Sequence, residues 1–375
     1  MSPLPEPTGF TPPTYPFDIP ADVREMAAAV DGGVVDLSRG VPCDPVPDVV
    51  AAGLAEPDSA RPYPPSVGTP ELLDAAADWC DRRLGVSIEP SSIGACVGTK
   101  ELVTSLPHLL RLRNPERDTV LYPAVAYPSY EMGAILAGCR AVPVPLTADW
   151  RLDLSSINEA DAARALCLWV NTPGNPAGAL DDLGAAARWG RARGVPVASD
   201  ECYVEFTWHG PSRSILQHGT DGVLAVHTLS KRSNLAGLRV GFYAGDPDLV
   251  WYLRETRRHQ GQLIPGPAQA AGAAALRDQA HVEVQAARYR KRLESLVEVL
   301  AALDVPASMP EGAFYLWVAA PDGDGMALTR RLAAELGILT SPGTTFGSGG
   351  TGHVRIAAVV PDDQLAIVRA RAGLS

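Results

Sequence analysis

Five segments of the sequence place polar side chains directly after an apolar run. They are GTK (98–100), PAVAY (123–127), NTPGNPAG (171–178), DECY (200–203) and SK (230–231). Ligands of open parallel sheets bind outside the carboxyl ends of the strands, so we expect the five segments to converge on one crevice. A lone aspartate after a strand is more often a helix N-cap, and a lone lysine is more often solvated. The prediction therefore rests on the combination.

Part of this set would suit a phosphate group. Gly98 and Thr99 open a predicted helix, whose free N–H groups favour an anion. Ser230 and Arg239 could add a hydroxyl and a guanidinium to the same dianion. Lys231 would lie beside it, where burial and neighbouring cations lower the pKa of an amine and make it a nucleophile.

The remaining side chains would suit an aromatic ring. Asp200 could pair with a ring nitrogen and keep it protonated. Asn175 and Tyr203 could both donate to a ring oxygen, and Tyr127 could stack on the ring face. A phosphate, an aldehyde-reactive amine, an acid for a pyridine nitrogen and a stacked aromatic side chain together describe pyridoxal 5'-phosphate.

The elements that must position these residues alternate along the chain. From about residue 70, apolar strands such as TVLYP, ALCLWV and VLAVHTL alternate with helical patterns such as LGAAARWGRARG. This alternation predicts an α/β fold with a mostly parallel sheet covered by helices on both faces. After residue 266, an Ala- and Arg-rich segment predicts one long helix from residue 267 to about 302.

We expect two domains. Residues 46–264 would form a large cofactor-binding domain, and residues 265–375 would form a smaller C-terminal domain together with part of residues 1–45. The first twenty residues contain seven prolines, which predicts an extended arm rather than a packed element.

Composition argues against several classes of protein. A net charge of -11 is unlike that of a nucleic-acid-binding domain, and we find neither a membrane-spanning apolar run nor a signal-peptide pattern. Six scattered cysteines without a CxxC pair predict reduced thiols and a cytoplasmic location, and the histidines lack metal-ligand spacing. GSGGTG (347–352) fits GxGxxG but precedes a strand and opens no helix, so we interpret it as a turn.

Further segments identify a family. YPPSVGTPELLDA, NTPGNPAG, SDECY, SKRSNLAGLRVG, PEGAFYLW and HVRIA occur in this order. The chain resembles the class I/II pyridoxal-phosphate-dependent aminotransferases of fold type I along essentially its whole length. The resemblance implies a large domain with a mostly parallel sheet between helices, a smaller α+β domain, amino-acid and 2-oxo-acid substrates, and a homodimer.

The resemblance also implies roles for individual residues. Lys231, Asp200 and Tyr203 match catalytic positions of the family. The positions that match cofactor-binding residues are Tyr63, Thr99, Lys100, Tyr127, Asn175, Asp200, Tyr203, Ser230, Lys231 and Arg239. Among them, Tyr63 resembles the tyrosine that reaches the phosphate of the partner subunit. Arg355 resembles the arginine that holds the substrate α-carboxylate, with Gly40 and Asn175 as further substrate positions.

The resemblance also implies a particular substrate. GTKEL, HTLSKRSNLAG and YPFDIPADVREMA are most similar to succinyldiaminopimelate aminotransferases of lysine biosynthesis, although Thr172, Ala177 and Lys100 depart from the usual family pattern. The two extra carboxylates of N-succinyl-diaminopimelate would need cations, for which Arg39 and Arg232 are candidates. The alternative is that Arg39 pairs with a local acid and that Arg232 points to the far side of the cofactor.

Other functions remain open at this point. The amino donor could instead be aspartate, diaminopimelate or acetylornithine. The enzyme could also be a pyridoxal-phosphate C–S lyase that acts on a leaving group at the β-carbon. A regulatory protein that only senses the cofactor would need a fused DNA-binding domain, and we find no segment for one.

Overall fold

The computed structural model describes residues 9–56 and 58–374. Its strands are β1 (Val35–Asp36), β2 (Ile93–Cys96), β3 (Thr119–Pro123), β4 (Arg140–Val144), β5 (Ala165–Asn171), β6 (Val197–Asp200), β7 (Val223–Thr228), β8 (Gly241–Gly245), β9 (Tyr315–Ala319), β10 (Ile338–Leu339), β11 (Ser341–Pro342) and β12 (His353–Ala357). Its helices are α1 (Ala21–Ala28), α2 (Asp48–Leu54), α3 (Pro70–Trp79), α4 (Thr99–Arg113), α5 (Ser129–Leu136), α6 (Glu159–Arg164), α7 (Leu183–Arg193), α8 (Leu229–Arg232), α9 (Pro247–His259), α10 (Gly266–Arg277), α11 (Ala280–Ala302), α12 (Gly325–Leu336) and α13 (Asp362–Arg371).

The largest sheet formed by the described residues has seven strands in the order β2-β8-β7-β6-β5-β3-β4. The five strands from β7 to β4 are parallel, and β8 is antiparallel to both of its neighbours. Every residue of β5 and β7 is buried, because helices cover both faces of the sheet. The predicted α/β fold with a mostly parallel sheet is confirmed.

A second structural unit contains the antiparallel sheet β11-β12-β9 and the parallel pair β1-β10. Its apolar cluster includes Leu37, Leu293, Leu316, Leu332 and Ile356, so segments from both halves of the chain share one core. The domain boundaries at residues 46 and 265 stay a prediction. Helix α10 packs against α2 and α3, which favours a boundary after α10 rather than before it.

The predicted single helix from residue 267 to about 302 is wrong. Helix α10 ends at Arg277, and α11 begins at Ala280. Between them Asp278 has extended backbone angles, and its Oδ1 accepts the N–H of Ala280 at 3.0 Å. The extended backbone at Asp278 ends α10, and the Asp278 side chain accepts a backbone N–H at the start of α11.

Residues 9–20 of the N-terminal arm form neither helix nor strand, and residues 9–16 are exposed as the prediction of an extended arm implies, but the arm packs against the protein at Phe17 and Ile19. The Phe17 ring lies 6.1 Å from that of Tyr127 and 5.8 Å from that of Phe346. Thr345 donates a hydrogen bond to the carbonyl of Pro16, and Ile19 is buried. Residues 1–8 of the predicted arm lie outside the described residues.

The described part of the chain contains neither a membrane-spanning helix nor a candidate metal site. No helix there is long and apolar enough to cross a membrane. No cluster of three or more His, Cys, Asp or Glu side chains within it could hold a metal ion. GSGGTG forms 3₁₀ turns directly before β12.

Candidate active site

A cavity of about 480 Å³ lies at the carboxyl ends of the central strands. Apart from Tyr63 and Arg232, its wall contains every predicted site residue, namely Arg39, Gly40, Thr99, Lys100, Tyr127, Asn175, Asp200, Tyr203, Ser230, Lys231, Arg239 and Arg355. The sheet register explains part of this convergence, because Asn171 at the end of β5 pairs with Asp200 at the end of β6. The predicted segments therefore meet in one crevice.

One end of the cavity is a cradle for an anion. Helix α4 begins at Thr99, directly after Gly98, whose φ of 71° favours glycine. A Cβ atom at Gly98 would overlap the guanidinium of Arg239 where it now lies, so glycine lets the loop approach this cation closely. The hydroxyl of Ser230, 2.9 Å from Thr228 Oγ1, lines the same cavity. A helix N-terminus, a hydroxyl and a guanidinium suit a phosphate dianion.

Lys231 projects into the cavity from α8, the short helix that follows β7. Its Nζ donates a hydrogen bond to the carbonyl oxygen of Gly40 at 2.5 Å. Burial, together with the positive charges of Arg355 and Arg239, lowers the pKa of this amine to about 8. Lys231 can thus act as a nucleophile or a base nearer to neutral pH than an ordinary lysine.

Asp200 ends β6 and is buried at the floor of the cavity. Its Oδ2 accepts a hydrogen bond from Tyr130 Oη at 2.8 Å, and its Oδ1 accepts one from the Cys202 N–H at 3.1 Å. Burial raises the pKa of the Asp200 carboxyl, while these hydrogen bonds oppose the rise. A protonated ring nitrogen beside Asp200 would offset the cost of burying its charge.

Asn175 and Tyr203 lie on the side of the cavity that faces β12. The backbone N–H of Asn175 donates to Asn171 Oδ1 at 2.7 Å, which fixes the loop after β5. The Asn175 side-chain oxygen accepts a hydrogen bond from Arg355 at 2.8 Å. Tyr203 Oη lies 2.9 Å from Tyr315 Oη, so one hydroxyl of this pair can donate into the cavity.

Arg355 comes from the middle of β12 and is almost fully buried. Its Nη2 donates to the carbonyl of Ser38 at 2.6 Å, and its guanidinium lies 4.2 Å from the centre of the Tyr315 ring. Burial lowers the pKa of this guanidinium. Its buried Nε has no hydrogen-bond partner among the described residues. A buried guanidinium with a free N–H is suited to a carboxylate.

Two predicted residues lie elsewhere. Tyr63 is 95% exposed and lines a surface groove with Pro62, Pro64 and Pro265. Arg232 is buried below the cavity, where it is ion-paired with Glu205 at 3.2 Å and does not contribute to the cavity wall. The hypothesis that Arg232 binds a substrate carboxylate is therefore wrong, since its side chain is directed to Glu205 and not to the cavity.

Several cavity residues were missed by sequence reasoning. They are Tyr15, Phe17, Tyr130, Cys202 and Tyr315. Tyr15 and Phe17 belong to the proline-rich arm, where two aromatic residues close together were the available signal. Lys100 Nζ lies 3.3 Å from Tyr15 Oη and 5.9 Å from the centre of the Tyr127 ring, so its side chain reaches the aromatic wall.

These features fit pyridoxal phosphate. The cradle at Gly98 and Thr99 would hold its phosphate, and Tyr127 would lie against its ring. Asp200 would meet its pyridine nitrogen, and Lys231 would bind its aldehyde carbon. The fit rests on the close approach of Gly98 to the Arg239 guanidinium and on the buried amine of Lys231.

Comparison with known proteins gave consistent results. Residues 32–371 match the family model described as aminotransferase class I and II. The chain is 40% identical over 367 residues to the 4-dedimethylamino-4-oxo-anhydrotetracycline transaminase OxyQ of Streptomyces rimosus, and the match covers 96% of this chain and 98% of the relative.

Two further similarities involve diaminopimelate aminotransferases. The LL-diaminopimelate aminotransferase of Aquifex aeolicus is 35% identical over 91% of this chain and 92% of that protein. A solved structure described as a probable N-succinyldiaminopimelate aminotransferase from Thermus thermophilus is 31% identical. It superposes with a TM-score of 0.83 over 94% of this chain and 98% of that chain.

Proposed function

The chain belongs to the class I and II aminotransferases, a pyridoxal-phosphate-dependent family of enzymes, and from that premise we propose that it transfers an amino group between N-succinyl-diaminopimelate and 2-oxoglutarate or glutamate. Support for this substrate comes from the relatives named for diaminopimelate substrates and from the cations of the cavity.

Two cationic side chains at the cavity wall are the main structural support for this substrate. N-succinyl-diaminopimelate has two carboxylates besides the one that Arg355 would hold. Arg39 and Lys100 are both exposed at the cavity wall, and neither forms an ion pair with any residue in 9–56 or 58–374. A cation without an acidic partner at the mouth of a cavity can bind an incoming carboxylate without breaking an internal ion pair.

The proposed mechanism assigns one task to each side chain. When bound, pyridoxal phosphate supplies an electrophilic carbon and a ring that accepts electrons. The free amine of Lys231 removes the proton from the Cα atom of the donor. Asp200 keeps a negative charge beside the ring nitrogen, and Arg355 holds the α-carboxylate so that the Cα–H bond points at Lys231.

A second candidate substrate is suggested by the 40% identity with OxyQ, whose name describes a 4-oxo-anhydrotetracycline compound. The aromatic rings of Tyr15 and Phe17 line the cavity and could contact a large ring system. In that case the acceptor would be a polycyclic ketone rather than a linear oxo acid.

A substrate screen tests the proposal. Purified enzyme with 2-oxoglutarate is assayed with N-succinyl-diaminopimelate, diaminopimelate, aspartate and acetylornithine as donors. The 4-oxo-anhydrotetracycline compound is assayed as an acceptor with glutamate as the amino donor. We expect the highest kcat/KM for N-succinyl-diaminopimelate, with stoichiometric glutamate. A preference for any other compound overturns the substrate assignment. Cystathionine is assayed separately without an oxo acid, and release of homocysteine, ammonia and pyruvate from it would indicate a lyase.

A further inference from the structure

An ion pair between a buried arginine and a partly buried glutamate lies directly behind the anion cradle. Arg257 of α9 donates from Nη1 and Nη2 to the two carboxylate oxygens of Glu101 in α4, at 2.8 and 2.7 Å. The Arg257 side chain is 2% exposed, and Ser105 Oγ donates to Glu101 Oε1 at 3.0 Å. Neither Arg257 nor Glu101 reaches the cavity wall.

Glu101 also holds the backbone of the cradle. Its Oε2 accepts the N–H of Val97 at 3.3 Å, while the carbonyl of Val97 accepts a hydrogen bond from Arg239 Nη2 at 3.4 Å. Glu101 and Arg239 thus hold residue 97 from opposite sides, directly before Gly98 and Thr99. The position of the cradle depends on this double contact.

The negative charge of Glu101 is unfavourable for the binding of a phosphate dianion in the cradle. An acid in the first turn of a helix interacts favourably with the helix dipole, but this carboxylate lies behind a cradle that would bind a dianion. The Glu101 side chain is 24% exposed, so solvent would screen only part of its repulsion of the phosphate. Nη1 and Nη2 of Arg257 both face Glu101, so the positive charge of the guanidinium offsets the negative charge of the carboxylate.

We propose that Arg257 is a positioning residue for the cofactor phosphate: it neutralises Glu101, which can then hold the Val97 backbone without repelling the dianion. The proposal rests on the placement of the phosphate in the Gly98–Thr99 cradle. It does not depend on the identity of the amino donor, so a failed substrate screen would leave it intact.

A purely structural role for the pair predicts a different result. Loss of Arg257 would then lower the stability of the fold and weaken the binding of every ligand alike. An electrostatic role predicts a selective loss for phosphorylated ligands, and it predicts rescue when the carboxylate is removed as well. A double-mutant cycle separates the two.

The test uses apoenzyme of the wild type and of the variants Arg257→Met, Glu101→Gln and Glu101→Gln/Arg257→Met. Binding of pyridoxal phosphate, of pyridoxal without phosphate and of inorganic phosphate is measured by fluorescence titration. For Arg257→Met we expect the affinity for pyridoxal phosphate and for inorganic phosphate to fall on the order of ten- to a hundredfold. The reason is that the negative charge of Glu101 would no longer be neutralised behind the phosphate. Pyridoxal affinity should change little, and the double variant should recover most of the loss.

Arg292→Met is the matched control, because Arg292 forms a buried ion pair with Asp44 that belongs to neither the cradle nor the cavity wall. It should lose stability but keep the phosphate affinity of the wild type. Equal losses for pyridoxal and pyridoxal phosphate in Arg257→Met, or no recovery in the double variant, overturn the proposal. If Arg257→Met does not fold, Glu101→Gln decides alone, since it should bind inorganic phosphate at least as tightly as the wild type, and weaker binding contradicts the proposal.

Discussion

The protonation state of Lys231 is set by its surroundings rather than by its type. Burial and two nearby guanidinium groups favour the neutral amine, so its pKa is about 8 instead of the ordinary 10.5. A depressed pKa means that the neutral, nucleophilic form predominates above about pH 8 and declines below it. Cofactor capture by apoenzyme should follow the same dependence.

We therefore predict that the rate of covalent capture of pyridoxal phosphate by the apoenzyme rises with pH and levels off above about 8, as followed by stopped-flow absorbance. Lys231→Ala should fold but capture no cofactor, and borohydride reduction of the wild type should leave the label on Lys231. Lys100→Ala is the control and should still be labelled. A label on Lys100, or a rate that keeps rising well beyond that pH, would contradict the assignment.

The choice of donor should depend on Arg39. We predict that Arg39→Ala raises KM for N-succinyl-diaminopimelate by about ten- to a hundredfold, because a charge-assisted hydrogen bond worth roughly 1.5–3 kcal/mol is lost. The KM for aspartate should change much less. Initial rates with both donors test this, and Lys100→Ala examines the second cation in the same way. Equal changes for both donors would show that Arg39 supports the site without contacting the side chain.

The position of most site residues was predictable because each one follows an apolar strand, and the carboxyl ends of these strands share one edge of the sheet. The direction of Arg232 was not predictable. It follows Lys231 within a helical turn, where successive side chains point about 100° apart, so only one of the two can face the cavity. The sequence alone does not say which one, and Glu205 as the partner of Arg232 comes from a distant segment.

Among the elements, the strands were easier to predict than the helix boundaries. β5 and β7 are continuous apolar runs with few alternatives. The break between α10 and α11 has neither glycine nor proline, and the Ala- and Arg-rich pattern continues across it. The available signal was Asp278, a residue type that commonly begins helices, but its effect depends on packing that the sequence does not display.

Asp181 connects two loops beside the candidate site. Its Oδ1 accepts the N–H of Leu152 at 2.7 Å, and its own N–H donates to Thr172 Oγ1 at 3.1 Å. Burial raises the pKa of its carboxyl from 3.8 to about 6. The folded protein therefore binds a proton on the Asp181 carboxyl more tightly than the unfolded chain does. The contribution of this proton to the stability of the fold is fully present below about pH 4 and is lost as the pH rises through about 6.

We predict that Asp181→Asn, which keeps an acceptor for Leu152 but has no charge to bury, is more stable than the wild type at about pH 7.5 by roughly 1–3 kcal/mol. The difference should disappear below about pH 4. Urea unfolding at several pH values measures it, with Asp182→Asn at the exposed neighbouring position as the control. If Asp181→Asn were less stable than the wild type near neutral pH, the prediction would be contradicted, because the ionised Asp181 carboxylate would then stabilise the fold.

At the scale of the whole molecule, the exposed Tyr63 argues for a partner subunit. Tyr63 is 95% exposed in a groove that also contains four prolines, so its side chain buries almost none of its surface against its own chain. The family resemblance implies that this residue completes the site of a second copy, and we expect a homodimer on that basis.

A complementation experiment tests the arrangement. Lys231→Ala and Tyr63→Ala chains are co-expressed with different tags, and the mixed dimer is isolated. If Tyr63 acts on the partner's site, one site of the mixed dimer contains both wild-type residues, so about half of the wild-type activity should return. If Tyr63 acts within its own chain, neither site is intact and the mixed dimer should be no more active than the Tyr63→Ala dimer. A monomer in sedimentation would exclude the expectation altogether.

During synthesis, β1 leaves the ribosome long before β10, with which it pairs. Val35 lies opposite Ile338, so about 300 further residues must be translated first, which takes on the order of 15–60 s at roughly 5–20 residues per second. Throughout that interval Val35 and Leu37, both buried in the folded protein, have no sheet to join. A nascent chain stalled before residue 338 would therefore leave the two-residue strand β1 unpaired and would keep the side chains of Val35 and Leu37 from their place in the core.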